Sequence, residues 1–323
     1  MKSKRVLVTG GSGFIGSHLV KRLLQEGAQV GLCVRYNSVI RNERLKDCWK
    51  DLTLIEADLR NRGPLARVRE FEPELVFHLA AYNHVGESFV QVEECFDVNA
   101  KGTANLLDVC TGRASRFVYM STSEVYGYQT SVPFVESMTP KPISPYAITK
   151  YAGELYCLMH QRMGADVVVL RPFNAYGPYQ SMKAVIPELI IKCLRGEPVE
   201  TTLGEQTREF NYVEDLVEGL LLAAQHDGRL EGVVNLAAGE EISIRTLVET
   251  IARLTETTSD VRIGAIPYRP TEIWRMYADA SRARSLLGWK PKVPFEMGLR
   301  QTVDWFRDYL RIGHTSSPIC TPS

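Results

Sequence analysis

Residues 5 to 16 read Arg5-Val6-Leu7-Val8-Thr9-Gly10-Gly11-Ser12-Gly13-Phe14-Ile15-Gly16. The first five residues form a short apolar run typical of a buried strand, and an amphipathic helical pattern follows the glycines to about Gly27. Glycines permit a tight turn, let the backbone approach a pyrophosphate, and place that group at the N-terminus of the helix. The stretch therefore predicts a strand, a turn and a helix that together bind a dinucleotide.

Apolar runs and helical patterns alternate along the first half of the chain. Strands are predicted at 29–34, 52–59, 75–81, 116–120, 166–171 and 233–236, and long helices at 90–110 and 144–163. This alternation predicts an α/β fold with a Rossmann-type, doubly wound parallel sheet. It stops being strict after about residue 173, so we expect a smaller, mixed α/β substrate-binding lobe. The expected division is 1–173, with 213–240 returning, for the NAD(P)-binding domain, 174–212 and 241–312 for the lobe, and 313–323 as a disordered tail.

Composition and charge exclude several classes of protein. The 323 residues are 45% hydrophobic and carry a formal net charge of zero, so no basic surplus points to a nucleic-acid partner. No apolar stretch is long enough to cross a bilayer, and Met1-Lys2-Ser3-Lys4-Arg5 lacks the pattern of a signal peptide, so we expect a cytoplasmic protein. The cysteines and histidines are dispersed, which predicts reduced thiols and no metal site.

The residues with the strongest chemical signal lie in two segments near the middle of the chain. Ser121 to Gly127 follow the apolar run 116–120, at the strand end where open α/β sheets bind ligands. In the second segment, Ser144 is a good N-cap, and Tyr146 and Lys150 lie four residues apart on one helix face. A cation beside a phenol lowers the tyrosine pKa, as a general base requires. Tyr-x-x-x-Lys also occurs by chance, but its place within a dinucleotide-binding pattern favours catalysis.

The ends of the predicted strands supply candidate cofactor contacts. The second strand ends at Val34-Arg35 with no carboxylate, and Asn37 and Ser38 follow; an arginine there favours NADP over NAD, although Arg35 could also be a solvated loop residue. After the third strand, Asp58, followed by Leu59, either contacts the adenine amino group or caps the next helix. The fourth strand ends in the small segment Leu79-Ala80-Ala81, with His78 as a core residue and His84 as a site candidate.

Together these motifs resemble the extended short-chain dehydrogenase/reductases that act on nucleotide sugars. The resemblance rests on 9–16, 121–127, Tyr146-x-x-x-Lys150, 171–174 and 208–215, and covers nearly the whole chain. Within that group, Thr122-Ser123-Glu124 is similar to the Thr-Ser-Glu of GDP-mannose 4,6-dehydratases, and 83–85 and 269–272 resemble sugar 4,6-dehydratases. Residues 171–190 resemble dehydratases acting on N-acetylglucosamine nucleotides.

The resemblance implies a role for each matching position. The implied catalytic residues are Thr122, Ser123, Glu124, Tyr146 and Lys150. The implied cofactor-binding residues are Gly10, Gly13, Phe14, Ile15, Gly16, Arg35, Asn37, Ser38, Asp58, Leu59, Leu79, Ala80, Ala81, Tyr146 and Lys150. The implied substrate-binding residues are His84, Ser123, Asn174, Arg208 and Arg269. Arg208 and Arg269 would bind the diphosphate, unless they form surface ion pairs with Glu209 and Glu272 respectively.

The activity implied is nucleotide-sugar 4,6-dehydration, which converts a GDP- or UDP-linked hexose to its 4-keto-6-deoxy derivative with a tightly bound, recycled NADP or NAD. Tyr146 would accept the 4-hydroxyl proton and Glu124 the C5 proton as the 6-hydroxyl departs. UDP-glucuronate decarboxylation and 4-epimerisation are alternatives, although Glu124 argues against an epimerase. A non-catalytic cofactor-sensing scaffold is disfavoured because Tyr146 and Lys150 are both present. The two long helices, 90–110 and 144–163, predict a homodimer built on a four-helix bundle.

Overall fold

A seven-stranded parallel sheet forms the centre of the computed structural model, which describes residues 1–35, 43–112, 114, 116–268 and 272–311. The strands in chain order are β1 Arg5–Thr9, β2 Gln29–Val34, β3 Leu52–Glu56, β4 Leu75–His78, β5 Arg116–Met120, β6 Val167–Pro172, β7 Asn174–Tyr176, β8 Val199–Thr201, β9 Thr207–Arg208, β10 Phe210–Tyr212, β11 Val233–Leu236, β12 Ile242–Ser243, β13 Val261–Ile263 and β14 Arg275–Met276.

The order of strands across the central sheet is β11-β6-β5-β4-β1-β2-β3, and all neighbours are parallel. The direction of winding reverses between β1 and β4. In open α/β sheets, ligands bind outside the carboxyl ends of the strands at such a switch point. The predicted Rossmann-type parallel sheet is confirmed, and the topology places the glycine turn after β1 directly at the crevice.

Helices cover both faces of this sheet. In chain order they are α1 Phe14–Gln25, α2 Ala66–Phe71, α3 Val85–Ser88, α4 Val92–Phe96, α5 Gly102–Cys110, α6 Pro145–Arg162, α7 Val185–Arg195, α8 Val213–Gln225, α9 Ile244–Thr255, α10 Ser281–Leu287 and α11 Phe295–Arg311. Apolar side chains of α1 and α8 pack on one face of the sheet, and those of α2, α5 and α6 pack on the other. β1 lies between β2 and β4, and its Val6, Leu7 and Val8 are fully buried.

Both predicted long helices are present, and the first of them is interrupted by a π-helical turn. α6 begins as predicted, because the Ser144 hydroxyl accepts a hydrogen bond from the Ala147 N–H at 3.1 Å and Pro145 follows it. The helix predicted at 90–110 is α4 and α5 joined by a π-helical turn at Asp97–Lys101. Asn99 in this turn exchanges hydrogen bonds with the backbone of Tyr82, so the extra residue aims a polar side chain at the end of β4.

A separate apolar cluster forms beside the sheet. It joins α7, α9 and α11 and includes Tyr176, Ile190, Ile251 and Phe306. The short strand pairs β7 with β10 and β8 with β13 border it. The division of the chain into a cofactor-binding domain and a substrate-binding lobe stays a prediction, and the expected tail 313–323 lies outside the described residues. Of the helices in the described part of the chain, none combines the length and apolar character needed to span a membrane.

Candidate active site

A cleft runs along the carboxyl ends of the central strands. Among the predicted cofactor residues, the structure brings together around it Gly10, Gly13, Arg35, Asp58, Leu59, Leu79, Ala80 and Ala81. Phe14, Ile15 and Gly16 form the first turn of α1, beside the cleft. Asn37 and Ser38 lie outside the described residues. The cleft also contains Arg60 and Glu94, which the sequence reading missed.

The glycine turn has the shape that a dinucleotide needs. Gly10 has a φ of +69°, and a Cβ there would lie 2.6 Å from the backbone nitrogen of Ala80, so only glycine fits between β1 and β4. Gly13 is the N-cap of α1, and no side chain of the described residues caps that end. The first-turn N–H groups are therefore available to an anion, which the helix dipole also favours. The residues present fit a pyrophosphate.

Four charged side chains form a network at the outer end of the cleft. The Asp58 carboxylate accepts hydrogen bonds from the Arg60 backbone N–H and from its Nε, each at 3.0 Å. These bonds, Arg60's side-chain bond foremost, hold the pKa of Asp58 below its usual range. Arg35 lies 3.6 Å from Glu94, which also pairs with Arg60. Asp58 thus stabilises its own turn, and its contact with adenine stays a prediction.

His78 is a packed core residue, as predicted. Its Nδ1 lies 2.7 Å from the Thr9 hydroxyl, and its Nε2 lies 2.9 Å from the Thr103 hydroxyl. Thr9 accepts from the Ala80 N–H and Thr103 donates to the Asn99 carbonyl, so the chain of bonds is satisfied by an imidazole protonated on Nε2. Burial lowers the pKa of His78 to about 3, and the ring stays neutral. It fixes Ala80 against the glycine turn.

The predicted catalytic residues of the first segment lie at the end of β5. Thr122 caps a short 3₁₀ helix, Ser123–Tyr126, by accepting a hydrogen bond from the Glu124 N–H at 3.2 Å. The Thr122 hydroxyl also hydrogen-bonds to Tyr146, and the Glu124 charge is close enough to act on the same phenol. Burial raises the pKa of Glu124, while the Arg208 guanidinium opposes this rise. Thr122, Glu124, Tyr146 and Arg208 are therefore brought together.

One expectation about the tyrosine is wrong. Burial, together with the charge of Glu124, raises the pKa of Tyr146 to about 12, and only the Thr122 bond acts in the opposite direction. Burial lowers the pKa of Lys150 to about 7. The Lys150 ammonium donates to the Met120 carbonyl at 2.6 Å and lies 4.3 Å from the centre of the Tyr119 ring, so it is directed to the end of β5. Desolvation exceeds the cation effect that the spacing predicted.

The predicted substrate residues Asn174 and Arg208 line a second cavity, between β7, α7 and β8. Asn174 donates to the Glu209 carbonyl at 3.0 Å. Arg208 pairs with Glu272 at 2.8 Å and also donates to the Ile273 carbonyl at 2.6 Å. The cavity thus contains an arginine that is held by Glu272 and whose charge acts on Glu124.

Of the two ion pairs considered from the sequence, the pair of Arg208 with Glu209 is wrong in its partner. Glu272, expected opposite Arg269, pairs with Arg208, and Arg269 lies outside the described residues. Glu209, expected opposite Arg208, is fully buried, and its carboxylate accepts hydrogen bonds from the N–H groups of Ala278 and Gly239. The reason is that Arg208 and Glu209 are successive residues where the backbone passes from β9 to β10, so their side chains point in opposite directions.

The His84 side chain is the N-terminal cap of α3. Its Nδ1 accepts a hydrogen bond from the Glu87 N–H at 3.0 Å and so caps α3. The last residue of α3, Ser88, accepts from the Tyr146 N–H through its hydroxyl at 3.2 Å. His84 therefore supports the segment that touches the start of α6. Its contact with substrate stays a prediction.

The chain matches a known protein family over most of its length. The family model for GDP-mannose 4,6 dehydratase matches residues 7–302. The chain belongs to this family. The predicted resemblance to short-chain dehydrogenase/reductases acting on nucleotide sugars is thereby confirmed.

Members and relatives of the family differ in activity. The chain is 32% identical to dTDP-D-glucose 4,6-dehydratase from Bos taurus, over 95% of this chain and 89% of that protein. It is 31% identical to UDP-N-acetyl-alpha-D-glucosaminuronate decarboxylase from Bacillus cytotoxicus, over 94% and 98%. The crystal structure of Thermus thermophilus UDP-glucose 4-epimerase in complex with NAD matches with a TM-score of 0.82 and 32% identity, over 94% and 99%. The chain is therefore an enzyme of the nucleotide-sugar dehydratase and epimerase superfamily.

Proposed function

We propose that this enzyme is a nucleotide-sugar 4,6-dehydratase. The observation that carries the proposal is the position of Glu124, a partly buried carboxyl at the end of β5 that acts electrostatically on both Tyr146 and Arg208. Dehydration across C5 and C6 needs a base in addition to the group that deprotonates the 4-hydroxyl. An epimerase needs only the latter, because its hydride returns to C4.

The proposed steps assign one task to each side chain. The phenolate form of Tyr146, a small fraction at neutral pH because burial raises the pKa of this phenol to about 12, accepts the 4-hydroxyl proton, while Thr122, bonded to the phenol, holds both oxygens in place. When bound, a nicotinamide dinucleotide supplies the hydride acceptor for C4 and the hydride donor for C6. Glu124 then takes the C5 proton, which the 4-ketone acidifies, and a proton from Glu124 or Ser123 leaves with the 6-hydroxyl as water. When hydride has reached C6, C5 takes up a proton from solvent, and Tyr146 releases the proton that it accepted. The raised pKa of Glu124 suits a group that both accepts and returns a proton.

The substrate is proposed to be a nucleoside diphosphate sugar, GDP- or UDP-linked. Arg208 and Asn174 line the second cavity, and a planar guanidinium binds diphosphate oxygens bidentately. Glu272 neutralises Arg208 in the structure, so we propose that the diphosphate exchanges with Glu272 for the guanidinium. His84, Ser123 and Arg269 are proposed as the remaining substrate contacts.

We propose NADP as the resident cofactor. Arg35 directly follows β2, where Rossmann-type folds bind the adenosine ribose, and it lines the cleft that contains the glycine turn. Calorimetric titration should show tighter binding of NADP than of NAD, and Arg35→Ala should reduce that preference by about tenfold or more, since one charge-assisted contact to phosphate is lost. Tighter binding of NAD, the ligand of the Thermus thermophilus epimerase, would contradict this assignment.

The enzyme is also proposed to be a homodimer through α4, α5 and α6. Apolar side chains that stay exposed on these helices include Phe96, Ile148, Leu155 and Met159, with 53%, 51%, 48% and 45% of their area accessible. Ile148, Leu155 and Met159 follow a helical spacing along one face of α6. A contiguous apolar stripe of this kind is typical of an interface, and a second copy across a two-fold axis would cover it with its equivalent.

A panel of nucleotide sugars tests the proposed activity. The purified enzyme is incubated with GDP-, UDP- and dTDP-hexoses and with UDP-glucuronate, and products are weighed by mass spectrometry. Loss of water from a hexose supports a dehydratase. Loss of carbon dioxide from the uronate would instead support a decarboxylase, the activity named for the 31% identical relative, and a product of unchanged mass would support an epimerase.

A further inference from the structure

A buried ion pair joins α6, the helix that contains Tyr146 and Lys150, to the central sheet. Glu154 of α6 is fully buried, and its carboxylate accepts hydrogen bonds from the Ser121 hydroxyl at 2.7 Å and from Nε of Arg171 at 3.0 Å. A second guanidinium nitrogen of Arg171 pairs with the other carboxylate oxygen. Arg171 is 3% exposed and lies 4.7 Å from the centre of the Tyr126 ring. The pair joins α6 to β6 and to the residue before Thr122.

The position of Glu154 on α6 places this ion pair near Lys150. Glu154 lies four residues after Lys150 on α6 and therefore on the same helix face, one turn away. Arg171 approaches the carboxylate from β6. The Glu154 charge acts on Lys150, while Arg171 holds the same carboxylate from the neighbouring strand.

Other groups that act on Lys150 come from every element packed around it. Cys157 on α6 and Cys95 on α4 act in the same direction as Glu154, but burial raises the pKa of both thiols, which are uncharged near neutrality. His78 of β4 is neutral, and the rings of Tyr119 and Tyr146 carry no charge there. Among the described residues that act on Lys150, Glu154 is therefore the one whose carboxylate is fixed in an ion pair.

We propose that Glu154 and Arg171 form a positioning pair that keeps Lys150 protonated in its buried site and so sets the pH range over which Tyr146 and Lys150 work. Burial in an apolar environment favours the neutral amine, and a carboxylate one turn away opposes that tendency. The low pKa of Lys150, about 7, means that a modest change in its surroundings alters its charge at neutral pH. The expected effect on turnover rests on the proposed function, whereas the expected effect on the titration of Lys150 is independent of it.

Nuclear magnetic resonance measures this titration without substrate. The protein is labelled with ¹³Cε-lysine, and the Lys150 signal is assigned by its absence in Lys150→Met. Glu154→Gln leaves Arg171 unpaired and should lower the pKa of Lys150 by roughly one unit or more, the size expected when a nearby opposite charge is lost. Arg171→Met leaves the buried Glu154 carboxyl without its cation, which favours its protonated form, so this variant should also lower the pKa of Lys150. Glu154→Leu/Arg171→Met, which removes both charges, should lie between wild type and Glu154→Gln.

A matched control and an activity readout complete the experiment. Ser121→Ala removes a hydrogen bond to Glu154 but keeps both charges, so the Lys150 titration should stay within about 0.3 units of wild type. The alkaline limb of the kcat profile should move with the measured pKa in each variant.

Lys150 titrating in folded Glu154→Gln as it does in wild type would overturn the proposal. If that variant does not fold, Glu154→Leu/Arg171→Met titrating at or above wild type overturns it instead. Either result would leave a dehydratase activity intact, whereas an epimerase activity would refute the proposed function and leave the titration unaffected.

Discussion

Replacing Glu124 by glutamine removes one proton-accepting group and preserves nearly all the volume of the side chain. In the structure this carboxyl is partly buried at the end of β5, and burial raises its pKa against the effect of Arg208. A positioned general base of this kind contributes about 10²- to 10⁴-fold to rate. We therefore expect Glu124→Gln to slow formation of the 4-keto-6-deoxy product by about 10²- to 10⁴-fold.

The variant should fail at a particular step. Tyr146, Thr122 and Lys150 are unchanged, so oxidation at C4 should continue while elimination stops. Rapid-mixing absorbance should show reduced nicotinamide accumulating in Glu124→Gln, whereas in wild type it should remain transient. Exchange of the C5 hydrogen with deuterated water, followed by mass spectrometry, should be lost together with turnover.

The pH dependence provides a second check. Glu124 must be ionised to accept a proton, so wild-type turnover should fall as the pH falls through the raised pKa of this carboxyl. That acidic limb should be absent from the residual activity of the glutamine variant. Glu296→Gln serves as the control, because Glu296 is 53% exposed and pairs with Arg253 on the surface. Wild-type turnover in Glu124→Gln, or the same loss in Glu296→Gln, would refute the reasoning.

Further predictions concern other contacts of the fold and site. Burial raises the pKa of Glu209 from 4.5 to about 7, so between these pH values the folded state holds a proton that the unfolded state has released. The free energy of unfolding should therefore fall by about 3 kcal/mol as the pH rises from 4.5 to 7. Urea titrations should show this fall in wild type and not in Glu209→Gln. Thr122→Val removes the bond that lowers the pKa of Tyr146, so the alkaline rise of the C4 oxidation rate should move to higher pH; an unchanged profile would count against the contact. Glu272→Gln frees Arg208 of a competing charge and should lower KM for nucleoside diphosphate sugars, with little change in kcat, whereas Arg208→Ala should raise KM. Leu155→Glu/Met159→Glu should convert the dimer to a monomer in light scattering, while Met297→Glu, on the exposed face of α11, should leave the mass unchanged.

Local sequence patterns were sufficient for the sheet and for the residues at its edge. The glycine turn after β1 can take no side chain beside Ala80, and this steric requirement is visible as glycine at position 10. Ser144 and Pro145 likewise predict the start of α6 through interactions within a few residues. Such features depend on residues close together in the sequence, so they can be predicted without knowledge of the tertiary structure.

Tertiary contacts account for what the sequence reading missed. Arg208 and Glu272 are separated by 64 positions and meet only because β9 and β14 pair in parallel. The π turn at Asn99 depends on the backbone of Tyr82, in another element. The pKa of Tyr146 depends on how deeply α6 is buried beside β5, which the spacing of Tyr146 and Lys150 does not contain. Arg60 could have been noticed, since it follows Asp58 by two positions at a strand end.

The central claim is that hydride taken from C4 of the sugar is returned to C6 after Glu124 has promoted loss of water. A nucleotide hexose carrying deuterium at C4 tests this directly when its product is examined by mass spectrometry and nuclear magnetic resonance. The proposal predicts a 4-keto-6-deoxy product with the deuterium on C6. Deuterium recovered on C4 of an epimerised sugar would contradict it.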